Sequence, residues 1–296
     1  MITLDHAFDN KPLPAWQNGF LVAYDHDQQP AVVFAFDGTG KLVTRATLDI
    51  PDAVQVRLGG PAASSGGTLA IAGTAWTARG VGARFIAWIS PSGRVERIVQ
   101  TSTFLPLKLC FDGHGSLWAL GKDHDPHART EHDHDVLRRY GPDGVLIQTA
   151  LPRSTFAVTG VERHPAERGF LACSGSTVGV YSIHGQEWVQ VSQLIGAEAP
   201  RTGPRLPQGS RVTGVALASD GAVYLSAEEP DGSYASSHAT IYVLKKNGSR
   251  WLPVDAATVF GPGRRHGYIV GADDDNHVII KAQAPGPSQL FFVSLE

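Results

Sequence analysis

The sequence predicts an all-β fold, a six-bladed β-propeller with four-stranded antiparallel blades, and three observations predict it. One phrase recurs along the chain: an apolar alternating run, a Gly/Asp turn, then another such run. It is clearest at Phe36-Asp37-Gly38-Thr39-Gly40-Lys41-Leu42, Phe111-Asp112-Gly113-His114-Gly115-Ser116-Leu117-Trp118, Tyr140-Gly141-Pro142-Asp143-Gly144-Val145-Leu146 and Ala218-Ser219-Asp220-Gly221-Ala222-Val223-Tyr224. A repeated unit of this kind fixes architecture before any single residue does. The 33 Gly and 19 Pro in 296 residues supply the frequent turns that many short strands require. Finally, the last repeat lacks a strand, and the N-terminal segment has one to spare.

The elements follow in order. Each repeat reads as four strands running outward from a central channel. Blade one takes a short inner strand at Leu13–Trp16, then Gly19–Tyr24, Ala31–Phe36 and Lys41–Leu48. Blade two runs Val54–Gly60, Thr68–Thr74, Arg84–Ile89 and Arg94–Thr101. Blade three runs Leu107–Asp112, Ser116–Gly121, Val136–Tyr140 and Val145–Leu151. Blade four is read as Ala157–Glu162, Gly169–Ser174, Val178–Ile183 and Glu187–Gln193. Blade five takes Val212–Ala218, Ala222–Ala227, Thr240–Leu244 and Arg250–Ala256, and blade six Tyr268–Ala272, His277–Ala282 and Gln289–Leu295. Ile2–Phe8 then becomes the outer strand of blade six, which closes the ring and leaves no open sheet edge between first and last blades. Trp188 and Trp251, each three residues after a Gly, are expected to open fourth strands and pack between blades. The expectation is one domain, residues 1–296. A two-sheet sandwich would account for the strands but not for the six-fold regularity.

Composition narrows the function classes. Hydrophobic residues make up 42% and charged residues 18%, which suits a packed core rather than a disordered chain. A net charge of −3 argues against general nucleic-acid binding. No apolar run approaches the length of a membrane span. The first residues are neither basic nor apolar enough for a signal peptide, so the expected location is cytoplasmic, or exported with a signal removed. Cys110 and Cys173 give no disulfide framework and read as small buried core residues.

The Phe-Asp-x-x-Gly-x-Leu-Trp form at residues Phe111–Trp118 resembles six-bladed propellers of the NHL and SMP-30/gluconolactonase-like groups. The resemblance spans nearly the whole chain and implies the propeller fold. That fold hosts lactonases, lyases, phosphoesterases and pure binding modules. The lactonase branch holds a divalent metal in the channel, using a Glu just before the first Trp and Asn and Asp at inner-strand starts. Here Leu13-Pro14-Ala15-Trp16 contains no Glu, and the corresponding positions are Leu107, Thr213 and Tyr268. Hard cations need several oxygen ligands including carboxylates, so the resemblance carries the fold and not that metal set.

Two constellations remain, both on loops, where function collects on a rigid scaffold. Arg153, Arg205, Arg211, Arg264, Arg265 and His266 fall in the connections between blades, so they converge on one face. With Thr213 and Tyr268 they could form a polar pocket at the channel mouth for a carboxylate or phosphate. Ordinary surface arginines paired with neighbouring acids would give the same pattern. The segment 122–135 carries His124, His127, His132 and His134 among carboxylates, ordinary ligands for a divalent metal. It reads equally as a polar solvated insertion. No nucleophile elbow, P-loop or dinucleotide fingerprint is present, and no catalytic residue stands out. The expected function is a binding module for a protein, peptide or small anionic ligand at the loop-rich face. The alternative is a metal-assisted hydrolase or lyase using the His/Asp loop.

Overall fold

A computed structural model describes residues 2–4, 14–25, 30–80, 82–123, 134–153, 169–181, 187–192, 196–197, 201–202, 206, 210–228, 239–245, 248–254, 267–273, 275, 277–282 and 289–294. They form six antiparallel sheets. Strand β1 is Ile2–Thr3. Blade one is β2 (Ala15–Gln17), β3 (Phe20–Asp25), β4 (Ala31–Phe36) and β5 (Leu42–Leu48). Blade two is β6 (Ala53–Ala63), β7 (Leu69–Thr77), β8 (Gly82–Ile89) and β9 (Val95–Gln100). Blade three is β10 (Phe104–Phe111), β11 (Leu117–Asp123), β12 (Asp135–Tyr140) and β13 (Leu146–Pro152). Blade four is β14 (Phe170–Ser174), β15 (Thr177–Tyr181) and β16 (Glu187–Ser192), with the short β17 (Gly196–Ala197) and β18 (Arg201–Thr202) both pairing with β16. Blade five is β19 (Arg211–Leu217), β20 (Val223–Glu228), β21 (Ala239–Leu244) and β22 (Leu252–Val254). Blade six is β23 (Gly267–Ala272), β24 (His277–Ala282) and β25 (Gln289–Ser294), and β1 completes it, with Ile2 opposite Leu290. The expected N-terminal closure is therefore present.

The core consists of six apolar clusters, one between each pair of neighbouring blades. A propeller blade buries both faces, so its middle strands are apolar throughout rather than alternating. In β4, Ala31, Val33 and Ala35 pack towards blade two, while Val32, Phe34 and Phe36 pack towards blade six. Outer strands show the other pattern: β9 alternates half-buried and exposed residues. Trp251 is buried in the cluster between blades four and five, as its spacing predicts.

The Gly/Asp phrase is a turn device. The Asp37 carboxylate accepts hydrogen bonds from the backbone N–H of Thr39 (2.8 Å) and Lys41 (3.2 Å). The Thr39 hydroxyl also donates to it, and this bond holds the carboxyl below its usual range. Asp112 and Asp273 repeat the two backbone contacts, and Ser90 accepts the second of them. The fourth residue of the turn adopts positive φ, 77° at Gly115, which only glycine takes without strain.

Two expectations need correction. Blade four is displaced by one strand: Phe170–Ser174 lies innermost, so Trp188 falls on the third strand and not the fourth. The run 157–162, read as the inner strand, lies outside the described residues. Cys110 and Cys173 are not free thiols. They form a disulfide with a Cα–Cα distance of 5.9 Å, tying inner strand β10 to inner strand β14. Shifting blade four by one strand is what brings Cys173 to the channel wall beside Cys110.

Candidate functional site

The inner strands can be aligned on their hairpin turns. Ser64, Asp112, Ala218 and Asp273 each donate a backbone hydrogen bond to the carbonyl four residues on, which sets a common register. Three residues before these positions, and before Asn18 and Ser174, stand Ala15, Pro61, Leu109, Leu171, Val215 and Val270. All six line one cavity, so each blade contributes one member of an apolar collar around the channel.

The cavity lies on the hairpin side of this collar. Its volume is ≈ 80 Å³, space for a few water molecules and no sugar-sized ligand. Its rim is held by Gln17, whose side chain spans three blades. Gln17 Oε1 accepts from Ala63 N–H and Phe111 N–H, both at 3.2 Å, and Nε2 donates to the Phe111 carbonyl at 3.1 Å. Asn18 adds a bond to the Ala63 carbonyl at 2.8 Å. This end of the channel is therefore braced by two side-chain amides. Gln17→Leu is expected to lower stability by about 2 kcal/mol, because it leaves backbone groups on two other blades unpaired. Thermal unfolding checks this, and an unchanged midpoint would show that Gln17 braces nothing.

The next layer, four residues before the turns, holds Pro14, Gly60, Lys108, Phe170, Gly214 and Ile269. Packing here is close: a Cβ on Gly214 would collide with the Ile269 carbonyl, and one on Gly60 would press on the Leu107 carbonyl. Lys108 is the layer's one charge. It follows a β-bulge at Leu107, a device that re-aims side chains near sites. Its Nζ lies 6.0 Å from the centre of the Phe170 ring, and among the described residues no carboxylate pairs with it. Its side chain is half-buried, and that burial lowers the ammonium pKa below the usual lysine range.

One layer further stand Gly59, Leu107, Gly169, Thr213 and Tyr268. Thr213 is itself a bulge residue. Its hydroxyl bonds the Ser226 carbonyl at 3.1 Å and Ser226 Oγ at 3.0 Å, and Ser226 Oγ accepts from Ile269 N–H at 3.2 Å. Tyr268 donates to Glu228 at 3.4 Å. Thr213 and Tyr268 thus stand on one layer of neighbouring blades.

The other expected site residues divide. Arg153 is half-buried just beyond β13, and its N–H donates to the His134 carbonyl at 2.8 Å. Arg211 pairs its backbone with Glu228 across β19 and β20. His134 uses Nε2 to accept the Asp123 N–H at 3.1 Å, which fastens the base of its loop. His124, His127, His132, Arg205, Arg264, Arg265 and His266 lie outside the described residues. Asp273, Asp275 and His277 bring ligand atoms within 4.8 Å of one another, but these groups already bond one another as the turn device of blade six. Lys108 stands out in the sequence as one lysine inside the apolar run Leu107-Lys108-Leu109-Cys110-Phe111.

No protein-family model and no curated protein sequence matches the chain. Solved structures do. A luciferin-regenerating enzyme aligns over 94% of this chain and 89% of its own, at 11% identity and a TM-score of 0.54. A glucose dehydrogenase aligns over 94% of both chains at 12% identity and a TM-score of 0.49. A gluconolactonase from Xanthomonas campestris aligns over 82% of this chain and 91% of its own, at 15% identity and a TM-score of 0.45. The six sheets described above share the fold of the luciferin-regenerating enzyme. The channel metal implied by the lactonase resemblance does not fit the residues present: on the three layers described, no side chain is a carboxylate, an amide or an imidazole.

Proposed function

We propose that this propeller is a binding module that takes an anionic ligand at the loop-rich end of its channel. The observation that carries the reading is the charge on the three inner-strand layers above, where Lys108 is the only charged residue among the described residues. A lone cation in a narrow, low-dielectric channel attracts an anion more strongly than an exposed one does. The arginines of the blade connections would extend the attraction outward. The disulfide favours the exported alternative for location, because such bonds persist in oxidising compartments. No helix among the described residues is long and apolar enough to cross a membrane.

The test is thermal unfolding in matched sodium salts at constant ionic strength: chloride, acetate, phosphate and an aromatic carboxylate. Binding to the native state stabilises by about 2.7 kcal/mol at a hundred times Kd, so at least one anion is expected to raise the midpoint in a saturable way. Equal midpoints in every salt would overturn the reading. So would near-stoichiometric metal in untagged protein purified without chelator, because the ligand class would then be wrong.

A further inference from the structure

Resting on the reading of an anion-binding loop face, we propose that the overhanging end of blade two is a docking surface for a partner protein. Its occupant is an acidic segment that also carries apolar side chains. Carboxylates meet Arg57 and Arg84, and an apolar side chain covers Trp76.

Blade two is taller than its neighbour. In the register set by the hairpins, Leu69 of β7 matches Leu117 of β11, so Asp123 at the end of β11 matches Ala75. Trp76 and Thr77 overhang that end, still paired with Gln55 and Ala53. Two rows of side chains cross the three strands here. Arg57, Thr74 and Arg84 stand opposite one another, and so do Gln55, Trp76 and Gly82. Opposite residues share a face of a sheet, as do residues two apart along a strand. Both rows therefore continue the face on which Ala72 and Ile86 pack into the cluster shared with blade three. The apolar core stops at that pair, and the rows beyond it are charged and aromatic.

Three features select the partner. The first is charge. Arg57 is exposed and Arg84 half-buried, and neither has an ion pair among the described residues. Arg84 Nη1 reaches only the Ser102 and Thr103 carbonyls, both at 3.4 Å, which leaves its charge uncompensated. Arg79, exposed on the adjoining turn, adds a third cation. A guanidinium presents a planar fork that suits a carboxylate. The second is apolar surface. Trp16, Trp88, Trp118 and Trp251 are buried, whereas Trp76 is half-buried, with the Arg57 guanidinium 5.7 Å from its ring centre. Val54, set out of the ladder by a β-bulge, is 56% exposed. Tryptophan and arginine are the side chains that most often carry binding energy between proteins. The third is shape. The rows form an overhanging edge and not a cavity, whereas small ligands are held in concave sites. A nucleic acid would also meet arginine and indole, but the net charge of −3 disfavours it.

Fluorescence anisotropy tests this with four labelled probes: a short peptide of alternating glutamate and leucine, the same peptide with glutamine for glutamate, the same with serine for leucine, and an oligothymidylate. The glutamate–leucine peptide is expected to bind wild-type protein at least about tenfold more tightly than either altered peptide. Joint replacement Arg57→Gln and Arg84→Gln should lose the same factor and flatten the salt dependence. Trp76→Ala should abolish the preference for leucine over serine. Arg94→Gln, at an arginine 79% exposed beside the opposite hairpin, should bind as wild type does. Equal binding of the glutamate and glutamine peptides overturns the proposal, and so does an equal loss in Arg94→Gln. If Trp76→Ala fails to fold, the double arginine variant decides alone, because undiminished binding to it removes the ledge. Tighter binding of the oligothymidylate overturns the partner class. If an anion stabilises the protein in the salt series but no peptide binds, the ledge falls and the anion-binding module stands. If neither an anion nor a peptide binds, both readings fall.

Discussion

Replacing Cys110 and Cys173 with alanine is expected to lower the free energy of unfolding by about 4 kcal/mol. The two residues are 63 apart in sequence, and a cross-link closing a loop of that length removes roughly this much chain entropy from the unfolded state. The position of the bridge adds a structural reason. Blades three and four meet along β10 and β14, whose ends are also joined by a hydrogen bond from Gly113 N–H to the Gly175 carbonyl at 2.6 Å. The chain between these blades runs from Arg153 to Gly169, so neighbouring blades here are connected by a long segment rather than a tight turn. The disulfide shortens that connection to one covalent step at the channel wall. Denaturant titration with and without reductant measures the effect. Wild-type protein should lose its extra stability on reduction, whereas the double alanine variant should be indifferent to reductant. Thiol titration of unfolded wild-type protein before reduction should find none. Two free thiols, or matching midpoints for wild type and variant, would remove the bridge from the fold.

The repeat itself was legible because its cause is local. Each turn residue acts within four positions of itself, and each buried strand is written as a continuous apolar run. The ring closure was legible too, as a strand count one over at the N-terminus and one short at the C-terminus. What escaped depends on partners distant in sequence. Two apolar runs lie near the start of blade four, and nothing local says which one reaches the channel. Choosing 157–162 moved Cys173 off the inner strand and hid its partner. Each cysteine sits in an ordinary strand context, so the pairing has no local sign. Lys108 reads locally as one polar residue in an apolar run, because its setting depends on the other five blades placing no charge on its layer. The arginine and histidine loops stand out in composition, yet composition cannot place a long polar segment over a channel. Thr213 and Tyr268 differ in belonging to strands, whose register the repeat sets.

The same turn phrase should matter very differently at two of its copies. Asp37→Ala removes backbone hydrogen bonds on an exposed turn, where water replaces them, and should cost about 1 kcal/mol or less. Asp112→Ala should cost about 3–5 kcal/mol, the range for breaking a buried charge pair. Asp112 is 3% exposed. Its Oδ1 holds the turn through His114 N–H and Ser116 N–H, both at 2.9 Å. Its Oδ2 accepts from Trp118 Nε1 at 2.9 Å and from Arg139 at 3.4 Å. The Arg139 guanidinium in turn lies over the Trp118 ring, 5.4 Å from its centre. The Trp that ends the Phe-Asp-x-x-Gly-x-Leu-Trp phrase is thus bonded to the Asp that begins its turn, and the spacing of six is the reach of one hairpin. Trp16 and Trp88, outside such a phrase, have buried indole nitrogens with no hydrogen-bond partner among the described residues. Asp112→Asn separates the two duties: an amide oxygen still accepts the turn hydrogen bonds, but the charge facing Arg139 is gone, so its cost should fall between the other two. Urea midpoints at constant slope rank the three variants. If Asp112→Ala and Asp37→Ala shift the midpoint equally, the Asp–Trp–Arg contact adds nothing to the turn, and the phrase is only a hairpin signal.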